Sequence, residues 1–405
     1  MNEYLYKLQL CGYDHRAYRA LIAKPTTGQV NNTARIKRLR VVTVLLCVLG
    51  WGLPCCWLAH TVLAADTLLK PYERWRNRRF MRRATRTLAR RPDLIKIGIT
   101  GSYGKTSVKN ILAALLGSRY RVVASPHSFN TPLGLARTIN EHLAPDTQVL
   151  IMEMGARRPG EIRELCTLLH PDHGIITSIG ACHLETFGNL ATVAATKAEL
   201  FHALPATGYA VTDGENPWCR GLTHSQLILV SRPQPPYATQ LLGEHNQTNL
   251  ALAVALAQKL GVDAATCTRV IAELKPTPHR LESLTAPNGI HILDDSYNAN
   301  PASATAALAV LKTCAGRKVV QTPGLVEQGE ASAAANQTLG EQMAAVADAV
   351  IIVGAVNRAA LTRGLAQFSG PVKYAATRDA AQNFYPELLT AGDTLLILND
   401  LPENY

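Results

Sequence analysis

No CxxC pair occurs among the nine cysteines of this 405-residue chain. That absence excludes a zinc ribbon or a disulfide framework. Cys55-Cys56 lie in an apolar run and the others are scattered singly, the pattern of a reducing compartment. There is no internal repeat and no low-complexity tract, which excludes a solenoid or a disordered tail. From Val41 to Ala65 there is no Asp, Glu, Lys or Arg. From Lys70 to Arg91 there is a single acid, Glu73, against Lys70 and nine arginines that include Arg74, Arg78, Arg82 and Arg86. The net charge of +11 is therefore concentrated rather than spread.

These two stretches set the first expectations. Val41–Ala65 is long enough for one transmembrane helix, kinked at Pro54, since a span needs about 20 apolar residues. It starts too late and runs too long for a cleaved signal peptide. A buried core helix is the alternative. Arg35, Lys37, Arg38 and Arg40 flank it on one side and the arginine run on the other. The longer run makes the C-terminal side cytoplasmic, with Arg74–Arg91 lying as a basic helix on the anionic leaflet. Nucleic-acid binding by that run is disfavoured by the adjoining span and by the lack of a recognition module. The predicted setting is a single-pass cell-membrane protein.

What is present is organised around Leu94–Leu116, LIKIGITGSYGKTSVKNILAALL. Leu94, Ile95, Ile97 and Ile99 read as a strand. Val108, Ile111, Leu112, Leu115 and Leu116 recur at helical spacing. Between them, Gly101 and Gly104 permit a backbone that wraps an anion, Lys105 adds positive charge, and Thr106 places a hydroxyl where Mg²⁺ would sit. This is a phosphate loop, best suited to ATP, spanning Gly101, Ser102, Tyr103, Gly104, Lys105, Thr106 and Ser107. The glycine of the standard Walker pattern is missing, because its position holds Ile99. A glycine turn that merely joins strand to helix is the alternative.

Downstream the pattern is α/β. Strand-like runs fall at Val149–Met152, Ile175–Ile179, Tyr209–Thr212 and Leu227–Val230, with helical stretches at Pro159–Leu169, Leu190–Ala203 and Asn249–Leu260. Lys275-Pro276-Thr277-Pro278 reads as a hinge. A second α/β unit follows, with strands at Ile290–Leu293, Val319–Thr322, Ala349–Val353 and Thr394–Leu398 and a helix over Ala302–Leu311.

Six short clusters carry possible chemistry, each with a bland alternative. Glu153 ends a strand in the same sheet as the loop, a place for a Mg²⁺ ligand or for a surface carboxylate. His183, in HLETFG, is a metal or phosphate contact or an ordinary loop histidine. Lys197 is a functional lysine or a solvated one. Asn246 and Asn249, in GEHNQTN, present amides that match the edge of adenine or that cap a helix. Arg280, on the hinge, can swing onto a γ-phosphate or lie on the surface. Asp294-Asp295-Ser-Tyr297-Asn298-Ala-Asn300-Pro301 suits ribose or phosphate contacts, or is a polar turn.

Taken together and in order, these elements resemble the Mur ligase family of ATP-dependent amide-forming ligases in peptidoglycan synthesis. TGSYGKT looks like its TGxxGKT loop, and Glu153, His183, Lys197, the GxHNxxN element, Arg280 and DDSYNANP fall in its order. HLETFG and DDSYNANP are most similar to the D-alanyl-D-alanine-adding branch. The resemblance covers Leu94 to the C-terminus.

It implies a central P-loop ATPase-type domain with a parallel or mixed sheet, followed by a Rossmann-like α/β domain that closes over the site. The corresponding layout is a polar segment (1–40), a transmembrane helix (41–65), a basic linker (66–92), an ATP-binding domain (93–280) and a C-terminal ligase domain (281–405). The implied reaction activates the carboxylate of a muramyl peptide with ATP as an acyl phosphate. An amino acid or dipeptide amine then attacks to give an amide. Lys105, Lys197, His183 and Arg280 would be catalytic. Thr106, Glu153, His183 and a carbamoylated Lys197 would hold Mg²⁺. Asn246, Asn249, Arg280 and Asp295 would join the loop in binding ATP, and Asn130, Thr131, Asn298 and Asn300 would contact substrate. The family's domain that grips the UDP-sugar is not visible, and Thr322–Gly329 (TPGLVEQG) departs from the usual GDMxELG-like string. The alternatives are a ligase of the same chemistry on another acceptor, as in folylpolyglutamate synthases, and a membrane-bound nucleotide-binding regulator without ligation.

Overall fold

A computed structural model describes residues 1–10, 13, 15, 18–19, 33–47, 58–297, 299–326 and 328–399. The described residues divide into two compact units, one up to Arg82 and the other from Arg83 onward.

In the first unit, helices Asn2–Leu10 and Ala34–Leu46 and the start of the long helix Leu58–Ala89 pack around a small core. Leu5, Leu8, Tyr18, Ile36, Leu39, Val62, Leu63 and Ala65 form that core. Here the expectation of a membrane span is corrected. Residues 48–57, with Pro54, lie outside the described residues. The rest of the stretch belongs to two different helices, and no helix among the described residues is long and apolar enough to cross a membrane. Val62, Leu63 and Ala65 turn to protein. Helix Ala34–Leu46 carries Arg35, Lys37, Arg38 and Arg40, and helix Leu58–Ala89 carries Asp66, Lys70 and Glu73. With the span goes the assignment to a cell membrane and to an anionic leaflet.

Asp66 and Glu73 each draw cationic partners from both helices. The buried Asp66 meets Arg35 at 2.9 Å and His15 at 2.8 Å, with Lys70 at 3.6 Å. Glu73 meets Arg38 at 2.6 Å and Arg76 at 2.8 Å.

The second unit is mixed α/β with two six-stranded sheets. Strands β1 (Ile95–Thr100), β2 (Val122–Ala124), β3 (Val149–Glu153), β4 (His173–Ile176), β5 (Ala210–Asp213) and β6 (Leu227–Val230) form the first. Its order is β2-β3-β1-β4-β5-β6, all parallel. Being covered on both faces, β3 reads as a continuous apolar run from Val149 to Met152 and β1 from Ile97 to Ile99. Helix Lys105–Gly117 turns Val108, Ile111, Leu112, Leu115 and Leu116 onto the sheet. Helix Glu244–Lys259 adds Leu250, Ala253, Leu256 and Ala257 to the same core. Each such fully buried Leu, Ile or Val contributes roughly 1.5–3 kcal/mol.

The second sheet holds β7 (Glu282–Thr285), β8 (His291–Asp295), β9 (Lys318–Thr322), β10 (Ala349–Val353), β11 (Val372–Ala375) and β12 (Thr394–Leu398). Its order is β11-β10-β9-β12-β8-β7, parallel except for β7 against β8. In both sheets the loops after the carboxyl ends of the strands are free to build a ligand site, the usual placement in open α/β sheets.

The paired acids of the first unit give a direct test. Asp66→Ala leaves Arg35 and Lys70 around an uncharged hole, at a cost on the order of 2 kcal/mol after screening of the half-exposed cations. Hydrogen exchange across residues 33–47 should accelerate accordingly, and unchanged protection there would remove the ion cluster from the account of this unit.

Candidate functional site

The loop after β1 is shaped by its neighbours. Gly101 stands at φ 147° and Gly104 at φ 77°. A Cβ at Gly101 would lie 2.0 Å from Thr177 Oγ1, and one at Gly104 would lie 2.6 Å from Asn249 Oδ1. Only glycine meets both the conformation and the space. Ser102 N donates to the Ser178 carbonyl at 2.8 Å, and Ser102 Oγ donates to the Gly180 carbonyl at 2.9 Å. Tyr103 OH donates to the Ala181 carbonyl. Lys105 Nζ folds back over the loop, donating to the carbonyls of Gly101 at 2.8 Å and Ser102 at 3.2 Å. The amide groups of the first helical turn therefore face the cleft together with this cation, an arrangement that attracts a phosphate.

Glu153 arrives through strand pairing. The parallel register sets Ile99 of β1 opposite Glu153 of β3, so the carboxylate stands beside the loop that follows β1. It is buried, not a surface acid. Thr106 Oγ1 donates to its Oε2 at 2.8 Å, and Asn130 Nδ2 donates to its Oε1 at 3.3 Å. Gly155 N donates to the Asn130 carbonyl at 2.9 Å, which fixes that loop. Thr131 uses its hydroxyl to cap helix Pro132–His142, accepting from Gly134 N at 3.2 Å.

Lys197 lies in the middle of helix Leu190–His202, only 1% exposed, so the solvated-lysine alternative fails. Its ammonium sits 6.0 Å from the centre of the Phe187 ring. Burial, and then repulsion from Lys105, lowers its pKa to about 7. His183 adopts φ 48° at the start of the short helix Leu184–Phe187 and lines the same cavity.

The GEHNQTN element does not precede a helix, as the sequence suggests. Helix Glu244–Lys259 begins inside it, with Gly243 as N-cap and no side-chain cap. The capping role proposed for the asparagines is therefore not met. Asn249 Nδ2 donates to Asn246 Oδ1 at 3.0 Å, and Asn246 Nδ2 donates to the Leu242 carbonyl at 2.7 Å. The strand expected at Ile175–Ile179 stops at Ile176, which frees Thr177, Ser178 and Ile179 to line the cleft.

From the other side comes Arg280. His279 and Leu281, its neighbours, hold φ values of 63° and 50°. Two left-handed residues in this position turn the chain sharply and aim the side chain between them. The guanidinium lies 4.5 Å from the centre of the Tyr297 ring. Asp295, at the end of β8, accepts from Leu281 N at 3.1 Å. Burial raises its pKa to about 6, against the pull of Arg280. Tyr297 OH and Ser128 Oγ are 2.7 Å apart, which links the two sheets' loops. Asn300 caps helix Pro301–Thr313 in a box with Ser303. Asn298 lies outside the described residues.

The result is one cavity of about 790 Å³. The loop Gly101–Ser107, Asn130, Thr131, Glu153, His183, Lys197, Asn246, Asn249, Arg280, Asp295 and Asn300 all border it. No three His, Cys, Asp or Glu side chains form a preformed metal cluster among the described residues. The oxygen donors present, Thr106 and Glu153, are of the hard type that suits Mg²⁺. Sequence reasoning missed Lys109, which lies 3.4 Å from Glu153 Oε2. The available signal was its spacing of one helical turn from Lys105. It also missed the Ser128–Tyr297 contact, for which a sequence carries no signal.

Comparison with known proteins agrees with this architecture. Residues 99–226 match the Mur ligase middle domain and residues 279–399 the Mur ligase glutamate ligase domain. The chain is 30% identical over 260 residues to a UDP-N-acetylmuramoyl-tripeptide–D-alanyl-D-alanine ligase of Bacillus subtilis, covering 58% of this chain and 57% of that protein. It is 30% identical over 298 residues to the Escherichia coli enzyme of that name, covering 66% of each. The chain thus spans between half and two thirds of the length of these curated relatives. Its fold is similar to that of the MurF ligase of Thermotoga maritima solved in complex with ADP, with a TM-score of 0.68, 24% identity and 80% of each chain covered. The two family matches lie on the two sheets that build the cavity, and the chain belongs to the Mur ligase family.

Proposed function

We propose that the protein is an ATP-dependent carboxylate–amine ligase that adds D-alanyl-D-alanine, or a similar amine, to a muramyl tripeptide in peptidoglycan precursor synthesis. The observation that carries this reading is the cavity. A phosphate loop, a buried lysine and a buried carboxylate face Arg280 and Asp295 across a hinge. Similarity to the D-alanyl-D-alanine-adding enzymes supports the choice of substrates.

In this reading the acceptor's carboxylate oxygen takes the γ-phosphoryl group of ATP, giving an acyl phosphate and ADP. The amine nitrogen then attacks the acyl carbon. The tetrahedral intermediate expels phosphate and the nitrogen loses a proton, leaving an amide. Lys105 and Arg280 approach from opposite walls and offset the charge on the transferring group, so the reaction is helped by position and electrostatics. Asn246, Asn249 and Asp295 hold the nucleotide, and Asn130, Thr131 and Asn300 hold the acceptor. Thr106, Glu153, His183 and Lys197, the last as its carbamate, would hold Mg²⁺. When bound, the ion supplies neutralisation of phosphate charge.

A carbamate on Lys197 forms when its neutral amine attacks carbon dioxide and releases a proton. A lysine whose pKa lies near 7 supplies that neutral amine at ordinary pH. Carbamoylation also relieves the repulsion from Lys105 by turning a cation into an anion.

The direct assay is phosphate release from ATP by the purified protein with UDP-linked muramyl tripeptide and D-alanyl-D-alanine. Release that never depends on the amine defeats the ligase assignment. Lys197→Ala should reduce turnover by at least roughly 10²-fold, with partial recovery in a short carboxylic acid. An unimpaired variant rules out the carbamate. The same lysine predicts a stability signature in carbon-dioxide-free buffer. Its folded pKa, about 7, lies below the unfolded value, so the unfolded chain binds more protons between those two values and stability rises with pH there. The gain in melting temperature on Lys197→Met should therefore be largest below pH 7 and shrink towards pH 10. A pH-independent gain would contradict the depressed pKa.

A further inference from the structure

A pair of opposite charges lies behind the phosphate loop. The side chains of Lys109 and Glu153 are 1% and 2% exposed, and their charged atoms are 3.4 Å apart. Lys109 stands one helical turn after Lys105, on the same face of the helix. Its ammonium also donates to the His127 carbonyl. His127, at φ 46°, opens the loop that carries Asn130 and Thr131. Both oxygens of Glu153 are thereby engaged: Oε1 by Asn130, Oε2 by Thr106 and Lys109.

Removing either charge alone from such a place leaves the other buried and uncompensated. A buried carboxylate without a partner attracts any divalent cation that reaches it. An ammonium fixed at this distance cancels that net charge. The phosphates of a nucleotide in the loop restore the attraction, because a cation then meets Thr106, Glu153 and phosphate oxygens at once.

We propose that Lys109 is a positioning residue that acts as a resident counter-ion, so that Glu153 refuses free divalent cation and accepts it only together with the nucleotide's phosphates. The inference rests on the ligase reading for the nucleotide and for Glu153 as a metal ligand. It makes the order of loading a property of the fold. A merely structural lysine, there to satisfy the His127 carbonyl, would stabilise the protein without affecting free-metal binding.

Mn²⁺ is the probe, followed by electron paramagnetic resonance of the full chain with and without ADP. The parent protein should bind Mn²⁺ at least about tenfold more weakly without ADP than with it. Lys109→Met should tighten binding of free Mn²⁺ by about tenfold, and Lys109→Arg should keep the parent's refusal. A parent that takes up Mn²⁺ equally well without ADP overturns the proposal. So does a folded, ADP-binding Lys109→Met whose affinity for free Mn²⁺ equals the parent's. Should that variant not fold, Lys109→Gln is read by the same criterion, and the parent titration alone retains the power to refute. A parent that binds no ADP under either condition overturns the ligase reading and this inference together. One that binds Mn²⁺ with ADP, while Lys109→Met changes nothing, overturns this inference alone.

Discussion

Cations gathered around one cavity, two of them lysines withdrawn from water, shape this molecule. Lys105, Lys197 and Arg280 border one cavity; burial first, and then Lys105, pushes the Lys197 amine towards its neutral form, and burial does the same to Lys105, with a smaller push from Arg280 against the opposing pull of Glu153 and Cys182. Such an arrangement costs free energy until an anion enters. Each wall supplies one of the three: a glycine-bounded loop, a buried helix position, and a hinge held by two left-handed residues. The tension is spread over separate elements of the fold, so no one of them can relax it alone.

The parallel pairing of β1 with β3 is what makes the cleft more than a cationic hole. It delivers Glu153 beside the loop, and Thr106, Asn130 and Lys109 fix its orientation. Cation and anion sites are thus set by backbone register. That register is in turn secured by the apolar faces of two helices packed on the sheet.

Much of the second unit was legible in the sequence, because its signals are local. Ile95–Thr100 followed by glycines and Lys105 declares strand, loop and helix within a few residues. DDSYNANP marks the end of β8 in the same way. The short strands β2, β7 and β11 were not foreseen, since they have only three or four residues and carry little burial. Residues Val41–Ala65 misled because their lack of charge is equally compatible with lipid and with a protein core. What decides is long range: Val62, Leu63 and Ala65 meet Leu5, Leu8 and Tyr18. Lys197 and Lys109 are ordinary helix lysines by spacing, and only tertiary packing shows that both are buried. The clusters were weak one at a time, and it was their order along the chain that carried the functional reading.

Gly104 and Asn249 belong to different elements and lie far apart in the chain, yet the space for a Cβ at one is filled by the amide of the other. Heredity should treat them as a single character. A side chain at 104 would be strained at φ 77° even where 249 had become smaller, so it is position 249 that must stay matched to the glycine. A loop grafted from a relative would fail unless the facing helix came with it.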